Sequence, residues 1–195
     1  MNLILASASP RRAELLRQVG ISYKIIKPEL EEKPDIEKTP RDIALALAED
    51  KARFVAQKLD RGVVLAADTL VVYQGELMGK PVDNDDARRM LCLLSGSRHE
   101  VITGLVLLDA ASGLVEKDYS KTTVWMKRLS EQEIEGYVKG GEPLDKSGAY
   151  GIQGSAALFV DRIEGCYFNV VGLPLSLLYS MMQKLQIAMQ QKTKG

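Results

Sequence analysis

Five side chains near the start of the chain can do chemistry together. Leu3-Ile4-Leu5-Ala6 is an apolar run, and it gives way to Ser7-Ala8-Ser9-Pro10-Arg11-Arg12. Ser9 reads as a helix N-cap and Pro10 as the first helical residue. A helix start presents unpaired N–H groups and a positive dipole end. Arg11 and Arg12 add planar forks that grip phosphate oxygens two at a time. A strand, two hydroxyls, a helix start and paired arginines make a cradle for a polyphosphate.

Further polar residues fall where the apolar pattern predicts core. Asp68 follows Val63-Val64-Leu65-Ala66-Ala67 and precedes Thr69-Leu70-Val71-Val72. A carboxylate inside such a run is costly unless it is paired or bound to a cation. Lys51 lies on the apolar stripe of a helical pattern with Ala44 and Val55. Leu77-Met78-Gly79-Lys80-Pro81 holds a second lysine in a tight turn, where it can neutralise a phosphate as a point charge. Gly148-Ala149-Tyr150-Gly151-Ile152-Gln153-Gly154 is a glycine-spaced loop with Gln153 as its central amide. An amide supplies donor and acceptor together and can read a base edge by a paired contact. Tyr150 and Ile152 are expected to offer apolar surface beside it. Glu29, Glu31, Glu32 and Asp68 are oxygen donors suited to magnesium or manganese.

Several chemistries are excluded. His99 is the single histidine of the chain, and its charged neighbours Arg98 and Glu100 suggest a solvated position. A Ser-His-Asp triad and a zinc site are therefore poor fits. There is no GxxxxGK[ST] sequence, and the glycine loop lacks the strand-to-helix context of a dinucleotide fingerprint. Hard-cation ligands beside arginines and lysines point to phosphate-ester chemistry.

These residues need elements to hold them. Strands are expected over 3–6, 23–26 and 63–73, and helices over 11–19 and 41–59. The first helix should bury Leu15, Leu16 and Val19, and the second Ile43, Ala44, Leu47, Ala48, Phe54 and Val55. Asp83 caps a helix carrying Met90, Leu91 and Leu94. A hairpin joins 99–108 to 114–126 around Ala110-Ala111-Ser112-Gly113. Ser130 and Glu133 form a capping box. Strands over 158–163 and 167–171 pair across Glu164-Gly165-Cys166, and Pro174 opens a last amphipathic helix. The pattern is that of an α/β or mixed α+β chain with a mixed sheet.

The 195 residues carry 26 basic and 26 acidic side chains, so nothing favours broad attraction to nucleic acid or to a membrane. One domain over residues 1–189, with two lobes around a cleft, and a polar tail over 190–195 are expected. Cys92 and Cys166 lack a CxxC spacing and read as two buried thiols of a reducing compartment. No apolar stretch is long enough to span a membrane, and no signal peptide is expected.

Taken in order, Leu5 to Arg12, Ala67-Asp68-Thr69, Gly79-Lys80-Pro81, Leu94-Ser95-Gly96, Asp145 to Gly154 and Val171-Gly172-Leu173-Pro174 resemble the Maf family. That family comprises nucleoside triphosphate pyrophosphatases. The loop Gly148 to Gly154 resembles the branch that acts on dTTP and UTP. The resemblance implies an elongated mixed sheet with flanking helices and a deep cleft, similar to the inosine triphosphate pyrophosphatase fold. It implies hydrolysis of a nucleoside triphosphate to monophosphate and pyrophosphate with Mg2+ or Mn2+, in a cytoplasmic homodimer. By position, Asp68 is the catalytic base, and Arg11, Thr69 and Gln153 set specificity. Ser7, Arg12, Lys51 and Lys80 hold phosphates, and Glu32 joins Asp68 at the metal, with Glu31 as the alternative to Glu32. The residues themselves leave open whether Asp68 acts as base or as metal ligand. Two other functions stay open at this point: hydrolysis of a purine or modified nucleotide such as 7-methyl-GTP, and nucleotide binding without turnover in the control of cell division.

Overall fold

The computed structural model describes residues 2–31 and 34–192. In chain order it holds β1 (Leu3–Ala6), α1 (Pro10–Gln18), β2 (Tyr23–Ile25), α2 (Pro40–Ala56), β3 (Val63–Tyr73), β4 (Glu76–Met78), α3 (Asn84–Leu94), β5 (Arg98–Asp109), β6 (Val115–Met126), α4 (Glu131–Lys139), β7 (Val160–Glu164), α5 (Tyr167–Val171) and α6 (Leu175–Lys192). The strands form one mixed seven-stranded sheet in the order β2-β1-β3-β5-β6-β7, with β4 also paired to β3. The class is mixed α/β, as expected.

The chain divides into two compact units. The first holds residues 1–68, 103–120 and 172–195; the second holds 69–102 and 121–171. In the first, β1 pairs in parallel with β2 on one side and with β3 on the other, and Ala6 stands opposite Ala66. The chain leaves β1 in one direction to reach β2 and returns across it to reach β3. Such a reversal is a topological switch point, and ligands of open α/β sheets bind beyond the carboxyl ends of the strands that flank it. One face of β1 and β3 presents Ile4, Ala6, Val64 and Ala66 to Ala48, Ala52 and Val55 of α2, joined by Val106 and Leu108. Small residues on both sides let helix and sheet approach closely. Gly104 of β5 takes this to its limit, since a Cβ there would lie 2.5 Å from the Ala44 carbonyl.

In the second unit, Ala87, Met90, Leu91 and Leu94 of α3 pack with Ile134, Tyr137 and Val138 of α4, and with Val71, Val124, Tyr150 and Phe159. The Ser130–Glu133 capping box is present, and the Asp83 carboxylate accepts from the Asp86 N–H.

Some expectations are corrected. Residues 167–171 are helical, not a strand. The Asn169 side chain donates to the Val101 carbonyl and to Thr122 Oγ1, and this tertiary anchoring overrides the strand preference of Tyr-Phe-x-Val-Val. Residues 155–159 form a 3-10 turn that delays β7 to Val160. The short strand β4 takes in Leu77 and Met78, which the sequence reads as the start of the lysine turn. Val19 is the C-cap of α1 and is 47% exposed, one step beyond the buried stripe. Cys92 is exposed and Cys166 partly so, because Cys92 sits beside the Met90, Leu91 and Leu94 stripe of α3 and not on it. Helix α6 continues through residues 190–192, where a polar tail is expected.

Candidate active site

Lys51 and Asp68 form the centre of the first unit's polar chemistry. Asp68 continues the Val64 and Ala66 face of β3, two residues past the last pairing with β1. Lys51 lies on the stripe of α2 that covers this face. The two meet with Nζ donating to Oδ1 at 2.5 Å, and both residues are 7% exposed. Burial makes this pairing close to obligatory, since either charge alone would meet a large desolvation cost.

Glu49 of α2 makes two further contacts. The Glu49 carboxylate accepts from Lys117 Nζ of β6 at 2.7 Å and from Arg53 on its own helix. The Lys117 hydrogen bond holds the Glu49 carboxyl below the usual range, against the opposing effect of burial. The Lys117 pair ties α2, the helix that carries Lys51, to β6.

The segment after β1 is built around the Ser7 hydroxyl, which is buried. It accepts from the Ser9 N–H and from Arg12 Nη1, each at 3.1 Å. Ser9 is the N-cap by backbone geometry, but its side chain makes no capping bond. Arg12 Nε donates to the Gly172 carbonyl at 2.8 Å. Arg12 and Gly172, far apart in sequence, are thus bound to each other within the first unit. Arg11 is partly exposed on the first turn of α1.

Thr69 follows Asp68 directly and is partly buried. Lys80 and Gln153 belong to the second unit, Lys80 exposed and Gln153 partly buried. There the Gly148 N–H donates to the Gly79 carbonyl at 2.9 Å, which ties the lysine turn to the glycine loop. A Cβ on Gly148 would lie 2.9 Å from Val71 Cγ1. Glu142 accepts from Ser155 Oγ and Tyr137 Oη at the far end of the loop.

Tyr150 and Ile152 are both buried, with Tyr150 in the core of this unit. They hold the loop from below and do not offer the apolar surface expected of them. His99, read from sequence as solvated, is 2% exposed. Its Nε2 and the Tyr150 hydroxyl share a 2.6 Å hydrogen bond. Burial lowers its pKa to about 4. A signal was present: His99 alternates with Val101, Thr103 and Leu105 along one face of β5.

Glu32 lies outside the described residues, and Glu31 is exposed. Among the described residues no three His, Cys, Asp or Glu side chains gather as a metal cluster. Asp68 is a buried carboxylate, 7% exposed.

Residues 2–185 match the family described as Maf-like protein. The chain belongs to the Maf family. Maf relatives at close identity include the dTTP/UTP pyrophosphatase of Methanosarcina barkeri, 48% identical over 187 residues and 95% of both chains. The dTTP/UTP pyrophosphatase of Syntrophomonas wolfei is 48% identical over 180 residues, 92% of this chain and 95% of that one. The Maf fold of this chain is shared with the Staphylococcus aureus Ham1 protein, at a TM-score of 0.52 and 13% identity, covering 94% of this chain and 99% of that one. Among the described residues, no helix is long and apolar enough to cross a membrane.

Proposed function

We propose that this Maf protein hydrolyses dTTP and UTP to the monophosphate and pyrophosphate. The observation that carries the reading is the buried Asp68 carboxylate, fixed by Lys51 beside the switch point of β1 and β3, in a chain 48% identical to proteins named for that activity.

The reaction needs a water activated for attack on the α-phosphorus and a stabilised leaving pyrophosphate. Asp68 is the group to take the proton, or to hold the cation that acidifies the water. Lys51 holds that carboxylate in place through its hydrogen bond. On the resemblance, Arg12, Ser7 and Lys80 are the phosphate-binding residues, whose charge and donors would stabilise the negative charge that grows on the departing oxygen. Arg11, Thr69 and Gln153 set the choice of base, with Gln153 pairing its amide to the N3–H and a carbonyl of the pyrimidine.

A hard divalent cation supplies Lewis-acid polarisation and charge neutralisation when bound. The donor set suits one: magnesium is usually held by one or two carboxylates, with phosphate oxygens and water completing the shell. Asp68 is that carboxylate, joined by Glu32 on the resemblance. A homodimer and a cytoplasmic setting belong to the same reading.

The test is pyrophosphate release from a panel of dTTP, UTP, dATP, dCTP, GTP and 7-methyl-GTP, with Mg2+ or Mn2+. Release from dTTP and UTP ahead of the rest supports the reading. Preference for a purine, or binding without turnover, rejects it.

A further inference from the structure

The buried pair His99–Tyr150 takes no part in the chemistry above, yet it sits under the loop that carries Gln153. Three observations in the second unit converge on this loop. First, Gly148 and Ala149 both adopt left-handed backbone, with φ of 71° and 59°. A glycine does so freely, but for alanine this is a sparsely populated conformation that persists only where the surroundings over-determine it. Ala149 is fully buried.

Second, the surroundings do over-determine it. The Gly148 N–H is held by the Gly79 carbonyl. The Lys146 ammonium donates to the Glu142 carbonyl at 2.7 Å and pairs with Asp145, and its stem closes over Gly151, where a Cβ would lie 2.8 Å from Cε. Directly after Ala149, Tyr150 drives its ring into the core and bonds His99 on β5.

Third, His99 has no other role there. Its ring meets Tyr150 edge-on at 5.3 Å between centroids, and its Nδ1 is buried with no hydrogen-bond partner among the described residues. A buried histidine with half its polar capacity unused is an expensive way to fill a core. An apolar residue of similar volume would pack as well. What it alone supplies is a fixed polar point on a rigid strand for the Tyr150 hydroxyl.

We propose that His99 is a positioning residue for base recognition. Through Tyr150 Oη it pins the strained Gly148–Gly151 segment, and so fixes where the Gln153 amide stands. This rests on the reading of Gln153 as the base-recognising side chain. Loss of the pin leaves the Lys51–Asp68 chemistry intact, and lets Gln153 sample geometries that no longer separate a pyrimidine edge from a purine one.

The experiment compares Tyr150→Phe, His99→Leu, His99→Gln and Gln153→Ala with the wild type. It measures kcat and KM for dTTP, UTP, dATP and GTP, with folding checked by circular dichroism and thermal midpoint. Tyr150→Phe removes one oxygen atom and keeps the ring, so it guards against a His99→Leu protein that fails to fold. Folded Tyr150→Phe is expected to lose about tenfold in kcat/KM on dTTP and UTP, the scale of one buried hydrogen bond, chiefly through KM. The slow purine rates should hold, so the base preference flattens. His99→Gln, which can still reach the hydroxyl, should recover part of the preference that His99→Leu loses. A merely structural role would lower the midpoint and all four activities together, and that result overturns the inference. If Gln153→Ala flattens the preference while Tyr150→Phe keeps it, the positioning role alone is wrong. If Gln153→Ala keeps the preference, the base-reading role falls and this inference with it.

Discussion

Lys51 Nζ and Asp68 Oδ1 stand 2.5 Å apart, with 9% and 10% of their side chains open to solvent. The pair joins the middle of a helix to the middle of a strand. Each partner is what makes the other tolerable, so either single substitution leaves a buried charge without its counter-charge. Lys51→Met leaves a buried carboxylate without a counter-charge and should cost about 3–5 kcal/mol of stability. Asp68→Asn keeps an oxygen that accepts from the ammonium but leaves that ammonium uncompensated, so it should also lose stability, by less than Lys51→Met, while remaining folded. It removes the charge, however, and turnover is expected to fall by at least roughly a hundredfold, the scale of a positioned base. Chemical denaturation and pyrophosphate release measure the two effects separately. Near-normal turnover in folded Asp68→Asn would remove Asp68 from the chemistry.

Gly104 sets how close α2 comes to the sheet. A Cβ there would stand 2.5 Å from the Ala44 carbonyl and 2.7 Å from the Leu45 nitrogen, and backbone cannot rotate away as a side chain can. Gly104→Ala must push α2 outward, and α2 carries Lys51. The expected cost is about 1–3 kcal/mol, or roughly 2–4 °C of midpoint per kcal/mol at this chain length. Turnover should drop as the Lys51–Asp68 geometry loosens. Gly136 is the contrast: it lies within α4, and a Cβ there meets nothing within 4 Å. Gly136→Ala should stabilise by about 0.5–1 kcal/mol through helix propensity. Equal behaviour of the two variants in a thermal melt would show that the close approach is not limiting.

His99 makes stability depend on pH. Burial lowers its pKa to about 4 from the ordinary 6.5. The unfolded chain therefore binds a proton at His99 between these values, while the folded chain does not. Stability should be unaffected by this group above about pH 6.5 and fall as pH drops from 6.5 towards 4. The shift corresponds to roughly 3 kcal/mol. Glu49, whose pKa is lowered from 4.5, begins to lose its contribution as pH falls past that value, so it adds to the loss only at the acid end of this window. Urea denaturation at a series of pH values should show a slope that Tyr150→Phe retains in sign and His99→Gln abolishes. A flat profile between pH 4 and 6.5 in the wild type would contradict the buried, neutral ring.

What the sequence disclosed follows from where each signal comes. The strand 63–73 is apolar on both faces, so its limits and the anomaly of Asp68 within it are visible without coordinates. Lys51 is visible for the same reason, as a charge on an apolar stripe. Capping is local, and Asp83 and Ser130 are correctly placed. The failures are tertiary. Residues 167–171 carry strand-forming side chains but are held helical by bonds from Asn169 to β5 and β6. His99 has charged sequence neighbours, and its partner Tyr150 lies far along the chain. The Ser7 hydroxyl is read as part of a phosphate cradle with Ser9 as the N-cap, whereas its bond to Arg12 and the bond of Arg12 to Gly172 need the fold to form.

The last prediction concerns the cation. Among the described residues no cluster of three His, Cys, Asp or Glu side chains exists, and Asp68 already spends one oxygen on Lys51. A hard cation wants about six oxygens, so most must come from the triphosphate and water. Affinity for a cation should then be weak in the protein alone and appear with the nucleotide. Isothermal titration with Mg2+ is expected to show little heat without nucleotide and clear binding with a non-hydrolysable triphosphate. Activity should vanish in excess chelator and return with Mg2+ or Mn2+, and zinc should restore it poorly because soft nitrogen and sulfur ligands are lacking. Tight binding of one metal ion by the nucleotide-free protein would mean that the chain builds a complete site of its own. Full turnover after exhaustive chelation would instead leave Lys51, Lys80, Arg11 and Arg12 to carry the charge of the leaving pyrophosphate unaided.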